Sequence, residues 1–453
     1  MDFKEKRFLV MGTGKSGVAA AALLKEKNIC VKLYDGNESL DKNAFFAANP
    51  ALCGLELICG ELPAEEIRRT DILVLSPGVP LDLPVVCRMK EEGVLIWGEI
   101  ELAYVFAKGK ILAVTGTNGK TTTVSLLGEI MKNAAADVQV VGNIGIPYTS
   151  VAAKTTDETV TVAEISSFQL ETIHTFAPEV TAILNITPDH LNRHHTMEHY
   201  IAAKERITEN QKNGGLCVLN YEDEELRRFG EGLRLKVAWF SSKRTLKDGF
   251  FLRDQVVYMA KDGEETAVVR TEELNLLGTH NYENVMAATA MAHGFGVPLT
   301  KIREVLLRFR AVEHRIEFVA KKRGVRFYND SKATNTDAAI QGIRAMDRPS
   351  FLIGGGYDKD ASYGAWIDAF DGKVKELVLI GQTREKIAAE AQKRGFLAVT
   401  MADSLEEAVL VCYEHAAEGD AVLLSPACAS WGMFQDYEER GRRFKEIVYR
   451  LKE

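Results

Sequence analysis

The sequence Ile111-Leu-Ala-Val-Thr-Gly-Thr-Asn-Gly-Lys-Thr-Thr-Thr123 decides the fold of the middle of the chain. Residues 111–115 are apolar or β-branched, which predicts a buried strand. Glycines and a Lys-Thr pair follow directly, and residues 124–132 have the pattern of a helix. A strand, a glycine loop and a helix in this order favour phosphate binding, because loop amides and the helix N-terminus attract anions.

The spacing inside this loop is unusual. Two residues separate Gly116 from Gly119, whereas the common G-x-x-x-x-G-K-[ST] loop has four. Lys120 would neutralise the β- and γ-phosphates of ATP, and Thr121 or Thr122 would place a hydroxyl on Mg²⁺. A strand–turn–helix connection with a purely structural role would not require the Gly-Lys-Thr triplet. We therefore predict that ATP contacts Gly116, Thr117, Asn118, Gly119, Lys120, Thr121, Thr122 and Thr123.

Strand-like and helical patterns alternate on both sides of this loop, which predicts an α/β fold with mostly parallel sheets. A length of 453 residues favours about three domains. We expect a Rossmann-like N-terminal domain over 1–98, a central P-loop ATPase-like domain over 99–311 and a Rossmann-like C-terminal domain over 312–453. Residues 248–271 predict an antiparallel excursion in the middle domain.

Composition excludes several classes of protein. The formal charge of -8 argues against a nucleic-acid-binding surface as the main function. The apolar runs are shorter than the ~18–20 residues that span a bilayer, and the first residues show no signal-peptide pattern. The 7 cysteines form no C-x-x-C pair and predict mostly buried free thiols. We expect a cytoplasmic protein with neither membrane nor nucleic-acid partners.

A second glycine loop, residues 12–17, matches G-x-G-x-x-G and lies between a predicted strand and a helix. Asp35 ends the next predicted strand, near the position of a ribose-binding acid. By spacing alone this motif is typical of a dinucleotide site, and an NAD-dependent oxidoreductase is the rival function that rests on it. A UDP pyrophosphate would fit the same loop amides equally well, and a purely structural tight turn is a third alternative.

Three further side chains are candidates for the chemistry. Glu164 lies near the end of a strand predicted over 160–165, and His190 follows a strand predicted over 180–185. Ligands of open α/β sheets collect beyond the carboxyl ends of the strands, so both should face the nucleotide. Lys204 lies on an amphipathic helix and would, by pattern alone, be a surface lysine. His194, His195 and His199 resemble a metal cluster by number, but we expect them to be mostly solvated.

Taken together, these motifs resemble the Mur ligases of peptidoglycan synthesis. The resemblance covers nearly the whole chain in order, through the segments 116–122, 164–169, 189–190, 203–204, 278–284, 314–315, 329–335 and 354–359. It implies an ATP-dependent, amide-forming ligase acting in cell-wall biogenesis, and thereby in cell shape, the cell cycle and cell division.

Within that family, residues 425–430 and the compact first domain look most like the members that add D-glutamate to UDP-N-acetylmuramoyl-L-alanine through an acyl phosphate. The Asp-Asn-Pro-Arg signature of the diaminopimelate-adding members is absent from the sequence. The segment Trp431-Gly432-Met433 and the glycine stretch before Lys359 depart from the family pattern near the expected glutamate pocket.

The resemblance also implies roles for individual residues. The catalytic set is Lys120, Glu164, His190 and Lys204. One Mg²⁺ would lie on Thr121 and Glu164, and a second on His190 and a carbamylated Lys204. Further ATP contacts would be Asn281, Asn284, Arg315, Asp330 and Lys332.

The two remaining substrates are assigned in the same way. The UDP-linked substrate would contact Gly14, Lys15, Ser16, Gly17, Asp35, Gly36, Ser76, Pro77, Gly78, Asn143, Gln169 and His190. D-glutamate would contact Thr334, Lys359, Ser430, Trp431 and Tyr437. The protein would act as a monomer, and its third domain would close over the phosphate loop to exclude water.

Two other functions compete with this interpretation. A folylpolyglutamate synthetase would share the short phosphate loop, but it should lack a glycine-rich first domain, which residues 12–17 supply. A UDP-sugar sensor without turnover would not need Lys120, Glu164, His190 and Lys204 together.

Overall fold

A computed structural model describes residues 3–143, 145–310, 313–358 and 360–452. The described residues form three separate β-sheets. The chain divides into two compact units. Unit 1 comprises Met1–Arg270 with Glu283–Leu306, and unit 2 comprises Thr271–Tyr282 with Leu307–Glu453. The α/β class predicted from the alternation of patterns is confirmed.

The N-terminal sheet is parallel throughout, in the order β3-β2-β1-β4-β5. Its strands β1 to β5 are Arg7–Met11, Cys30–Asp35, Leu57–Cys59, Ile72–Leu75 and Leu95–Gly98. Its helices α1 to α5 are Lys15–Glu26, Lys42–Ala48, Ala64–Arg69, Pro84–Glu91 and Glu99–Phe106. The central strands are continuously apolar because helices cover both faces.

The middle sheet has the order β14-β13-β12-β11-β10-β9-β6-β8-β7. Its strands β6 to β14 are Lys110–Thr115, Val138–Gly142, Val160–Glu164, Val180–Ile183, Leu216–Asn220, Lys236–Ser241, Gly249–Arg253, Val256–Lys261 and Glu264–Arg270. The helices α6 to α13 are Lys120–Lys132, Thr149–Ala152, Ser167–Leu170, Leu191–His194, Met197–Glu205, Glu224–Gly232, Thr279–Gly294 and Leu299–Arg308. Strands β12, β13 and β14 pair antiparallel, which confirms the predicted excursion.

The C-terminal sheet has the order β15-β16-β20-β17-β18-β19 and is parallel except at the β15–β16 edge. Its strands β15 to β20 are Glu317–Lys322, Val325–Asn329, Ser350–Gly354, Val374–Leu379, Val399–Met401 and Ala421–Leu424. Its helices α14 to α18 are Thr336–Ala345, Gly364–Asp368, Arg384–Lys393, Leu405–His415 and Tyr437–Arg450. Short 3₁₀ turns occur at Pro50–Leu52, Arg206–Thr208 and Thr271–Glu273.

The cysteines correct one prediction. Cys217, Cys412 and Cys428 are buried, but Cys30, Cys53 and Cys87 are exposed and Cys59 is half-buried. The expectation of mostly buried thiols was therefore wrong, since Cys30 begins a strand, Cys87 lies on a helix and Cys53 lies in a turn, all with exposed side chains. Among the described residues, no helix is long and apolar enough to cross a membrane.

Candidate active site

The loop between β6 and α6 has a backbone that only glycine adopts easily. Gly116 has φ of 145° and Gly119 has φ of 87°. A Cβ on Gly119 would lie 2.2 Å from Asn284 Oδ1, so this position also has no room for a side chain. Gly119 caps α6 without a side-chain hydrogen bond. The amides of the first helical turn can therefore bind an anion.

The loop is fixed to the segment that follows β9. The Thr117 amide donates to Asn185 O at 2.9 Å, and the Asn118 amide donates to Asn185 Oδ1 at 2.8 Å. Thr117 Oγ1 lies 3.0 Å from the Tyr200 hydroxyl. Thr121, Thr122 and Thr123 are buried at the start of α6. Thr123 Oγ1 donates to Asn284 Oδ1 at 3.3 Å.

Two lysines converge on one carbonyl of the loop. Lys120 Nζ donates to Gly116 O at 2.8 Å and to Thr117 O at 2.8 Å. Lys204 Nζ, on α10, donates to the same Gly116 O at 2.9 Å. Burial, reinforced by the charge of Lys120, lowers the pKa of Lys204 well below its ordinary value. Lys204 therefore belongs to the site and is not the surface lysine that its helix pattern indicated.

Glu164 ends β8 directly beside the strand that leads into the loop, since Glu164 pairs with Val114. Its side chain is buried, and Oε1 accepts from Asn143 Nδ2 at 3.1 Å. Oε2 is buried and has no hydrogen-bond partner among the described residues. A buried, unpartnered carboxylate oxygen is a costly feature that a hard cation would satisfy.

Gln169 lies beside this strand end and organises the turn after it. Its Oε1 accepts from the Ser166 amide at 2.9 Å, and its own amide donates to Ser166 Oγ at 3.3 Å. This capping box starts α8.

His190 lies immediately before α9 in a strained backbone conformation, with φ of 52°. Its ring is half exposed, 3.5 Å from Asp189 Oδ2 and with its centroid 5.0 Å from that of Phe168. Non-glycine residues adopt this conformation at a cost and often at functional sites. The exposed imidazole remains accessible to a ligand.

The prediction for the neighbouring histidines was wrong for one of them. His195 and His199 are exposed, but His194 is buried. His194 Nε2 lies 2.9 Å from Ser167 Oγ, and Nδ1 lies 3.2 Å from Glu171 Oε1. Burial, together with the charge of Arg193, lowers the pKa of His194 to about 4. His194 is therefore a neutral packing residue whose partners lie too far away in sequence to be foreseen.

The first glycine loop is tightly packed. A Cβ on Gly17 would lie 1.9 Å from Gly12 O, whereas one on Gly14 would meet nothing within 4 Å. Asp35 Oδ2 accepts from the Thr13 amide at 3.2 Å and from Thr13 Oγ1 at 2.6 Å, so this acid braces the loop. Ser76 Oγ is buried without a hydrogen-bond partner among the described residues.

The positions of the other residues assigned to the UDP-linked substrate follow from these elements. Gly14 precedes α1, which begins with Lys15, Ser16 and Gly17, and Gly36 directly follows β2. Pro77 and Gly78 continue the turn after β4.

The residues assigned to ATP in unit 2 include a buried acid, Asp330. Asp330 Oδ2 accepts from Ser425 Oγ at 2.7 Å, and Oδ1 accepts from the Ile316 amide at 3.3 Å. Burial raises the pKa of Asp330 to about 7. Arg315 Nε is buried with no hydrogen-bond partner in the described part of the chain. The Lys332 amide donates to His314 O at 3.1 Å, and Asn281 Nδ2 donates to Leu277 O at 2.7 Å.

The structure describes four of the five residues assigned to D-glutamate. Ser430 is buried and Trp431 is exposed, with its ring centroid 5.6 Å from that of Tyr357. Thr334 is half-buried, and Tyr437 opens α18. Lys359 lies outside the described residues.

Two arginines that the sequence did not single out donate hydrogen bonds to the backbone near assigned residues, each within its own unit. Arg440 is buried, and it donates to Ser331 Oγ and O at 2.9 and 2.8 Å and to Cys428 O at 3.1 Å. Arg193 reaches the turn after β4. The only available signal for Arg193 was its place three residues after His190. Nothing in the pattern around Arg440 distinguishes it from a surface arginine.

Three family models match the chain in order. Residues 6–98 match the N-terminal domain of the MurD-like Mur ligases, 114–292 the Mur ligase middle domain, and 314–428 the glutamate ligase domain of Mur ligases. The chain belongs to the Mur ligase family.

Curated relatives match over their full length. The chain is 54% identical over 453 residues to the UDP-N-acetylmuramoylalanine–D-glutamate ligase of Lachnoclostridium phytofermentans, with 100% of both chains covered. It is 51% identical to the protein of the same name from Lachnospira eligens, again with 100% of both covered.

Solved structures support the fold alone, because identity to them is low. The UDP-N-acetylmuramate-alanine ligase of Thermotoga maritima has a TM-score of 0.61 at 20% identity, covering 98% of this chain and 99% of that one. The MurF ligase of the same organism, in complex with ADP, has a TM-score of 0.59 at 16% identity, covering 99% and 97%.

Proposed function

We propose that this chain is an ATP-dependent ligase that adds D-glutamate to UDP-N-acetylmuramoyl-L-alanine in peptidoglycan precursor synthesis. The observation that carries the proposal is the convergence of Lys120 and Lys204 on Gly116 O, beside the strand that ends at Glu164. The chain is similar over its full length to relatives whose names state this reaction, and that similarity supports the choice of substrates.

The side chains around the loop fit magnesium. Glu164 Oε2 is a buried oxygen without a partner among the described residues, and Thr121 opens the helix that follows the loop. We assign one Mg²⁺ to Thr121 and Glu164, and a second to His190 and a carbamylated Lys204. Bound Mg²⁺ would neutralise charge on the transferring phosphoryl group.

The environment of Lys204 favours carbamylation. A neutral amine is the form that reacts with carbon dioxide, and burial with the nearby Lys120 charge promotes that form. The amine nitrogen bonds to the carbon of carbon dioxide and a proton leaves, which converts a hydrogen-bond donor into an anionic oxygen ligand. Hard cations such as Mg²⁺ prefer such oxygen ligands.

The proposed reaction has two steps. A carboxylate oxygen of the L-alanine residue attacks the γ-phosphorus of ATP, and ADP leaves. The amine of D-glutamate then attacks the acyl phosphate carbon, loses a proton and displaces phosphate. Lys120 and the amides around Gly119 hold the phosphates, so that positioning and charge neutralisation supply most of the catalysis.

The remaining assignments complete the proposal. Domain boundaries fall at 98/99 and 311/312. The UDP-linked substrate lies on the first glycine loop and the turn after β4, and ATP also contacts the assigned residues of unit 2. D-glutamate contacts Thr334, Lys359, Ser430, Trp431 and Tyr437. The enzyme acts as a cytoplasmic monomer.

The decisive experiment measures phosphate release from ATP and Mg²⁺ in the presence of UDP-N-acetylmuramoyl-L-alanine. D-glutamate, L-glutamate, L-lysine and diaminopimelate are compared as acceptors. We expect release with D-glutamate only, and none from Lys120→Ala, which removes the phosphate-binding cation. Release with another acceptor and not with D-glutamate would refute the assignment.

A further inference from the structure

Arg193 extends from α9 to the first domain. Its Nη1 donates to Pro77 O at 2.8 Å and its Nη2 donates to Val79 O at 3.2 Å. Both carbonyls belong to residues 76–79, the turn that follows β4, which we call the substrate turn. The side chain is only 14% exposed. A planar guanidinium fork thus fixes two carbonyls of one turn.

The same guanidinium is held firmly on the middle domain. Nη2 also lies 3.0 Å from Glu171 Oε2, and Cζ lies 3.9 Å from the centre of the Phe168 ring. Stacking on an aromatic face and pairing with a carboxylate both limit the freedom of the side chain. Arg193 is therefore a rigid connection between the two domains.

Phe168 continues this connection to the assigned metal ligand. Its ring centroid lies 5.0 Å from that of His190 and 5.3 Å from that of His194. The His190 carbonyl accepts from the amides of Arg193 at 2.9 Å and His194 at 3.1 Å. Because the His190 backbone is strained, it needs such support to keep its conformation.

We propose that Arg193 is a positioning residue that locks the substrate turn to the segment carrying His190. Binding of the UDP-linked substrate and placement of the histidine then depend on one guanidinium, which itself contacts neither the reacting atoms nor the metal. This inference rests on the proposed function, because that function makes residues 76–78 a substrate site and His190 a ligand.

The chain offers a matched control. A second arginine, Arg206, donates to three backbone carbonyls, those of Leu170, Glu171 and Ile173, at 2.7–2.8 Å. All three belong to the middle domain. Arg206→Lys therefore removes a similar fork without touching the substrate turn.

The test measures equilibrium binding of UDP-N-acetylmuramoyl-L-alanine by calorimetry, without ATP, Mg²⁺ or D-glutamate. Lysine keeps the charge but loses the fork, so Arg193→Lys and Arg193→Ala should both bind about tenfold more weakly than the unmodified protein. Arg206→Lys should stay within about twofold.

Phosphate release gives a second readout in the same variants. Arg193→Lys should require more Mg²⁺ for half-maximal rate, because His190 is less well placed, whereas Arg206→Lys should not. Circular dichroism and thermal unfolding establish whether each variant is folded. If Arg193→Ala does not fold, the results for Arg193→Lys alone decide whether Arg193 is a positioning residue.

Unchanged substrate affinity and unchanged Mg²⁺ requirement in a folded Arg193 variant would overturn the proposal, as would the absence of substrate binding by the unmodified protein. Binding without D-glutamate transfer would instead refute the proposed function, while the binding comparison still decides the role of Arg193.

Discussion

The amine of Lys204 is buried at a cost in stability, and the function proposed for it would explain why the chain keeps a lysine there. It is buried, and its only described hydrogen bond is to Gly116 O, which Lys120 also holds. Taking a lysine out of water disfavours its charged form. A methionine of similar length would remove this cost and leave Gly116 O satisfied by Lys120.

We therefore expect Lys204→Met to melt a few degrees higher than the unmodified protein in carbon-dioxide-depleted buffer, while losing turnover. The pKa of Lys204 is lower in the folded chain than the ordinary 10.5. At pH values between the folded pKa and 10.5, the unfolded chain therefore binds more protons than the folded chain. Stability of the unmodified protein should then rise with pH through that window, and the advantage of Lys204→Met should shrink. Calorimetric melting at several pH values measures this.

A companion variant tests the role of the same residue in catalysis. Lys204→Ala should be inactive and should regain part of its activity when formate or acetate is added, since a small carboxylate can replace the missing carbamate. Lys120→Ala is the control that should not respond. Equal failure of both variants to respond would contradict a carbamate at this position.

At this scale the sequence predicted Glu164 and His190 from the rule that ligands gather at strand ends. Lys204 was assigned only through the family resemblance, because the pattern of an amphipathic helix does not indicate which carbonyl a lysine on it contacts. His194 was misjudged because its burial depends on Ser167 and Glu171, which precede it by more than 20 residues. Such long-range contacts are not encoded in local pattern.

At the scale of elements, two glycines in the strand–loop–helix of the first domain have different surroundings, and we expect one to serve packing and the other ligand binding. Gly17 has no room for a Cβ beside Gly12 O, whereas Gly14 has open space and φ of −75°. Glycine in such a loop serves either close packing or close approach of a phosphate. The two glycines should respond differently to alanine.

We expect Gly14→Ala to unfold at the normal temperature but to bind UDP-N-acetylmuramoyl-L-alanine several-fold more weakly, because the new methyl group obstructs the pyrophosphate. Gly17→Ala should lower the melting temperature, since strand and helix must move apart. Thermal unfolding and calorimetric titration are the measurements. If Gly14→Ala binds normally, the loop is a structural turn and the UDP assignment fails there.

Central elements were easier to predict than edges. Buried parallel strands such as β6 and β9 consist largely of apolar or β-branched residues and were predicted from the sequence. The antiparallel edge strand β15 reads Glu-Phe-Val-Ala-Lys-Lys, a pattern that does not predict a buried strand. An edge strand buries little and carries charges that discourage unwanted pairing, so its pattern resembles a loop.

At the scale of the whole molecule, the chain passes from unit 2 to unit 1 inside α12, between Tyr282 and Glu283. The family resemblance implies ATP contacts from the phosphate loop and from Arg315, Asp330 and Lys332. An acyl phosphate also requires protection from water.

We therefore predict that a non-hydrolysable ATP analogue and the UDP-linked substrate together reduce the radius of gyration in solution. Small-angle X-ray scattering measures this, with each ligand alone as the control. Superimposable profiles with and without both ligands would contradict domain closure.

The shared carbonyl of Gly116 has a consequence for how the enzyme comes to its working state. A carbamate accepts hydrogen bonds and cannot donate one to Gly116 O, so the Lys204 contact seen here belongs to the lysine before it reacts. Lys120 alone would then donate a hydrogen bond to that carbonyl, until the Lys120 side chain turns to the phosphates of bound ATP. Dissolved carbon dioxide would thus act as an assembly factor, and a cell short of it would hold a fraction of this enzyme idle, however much ATP was present.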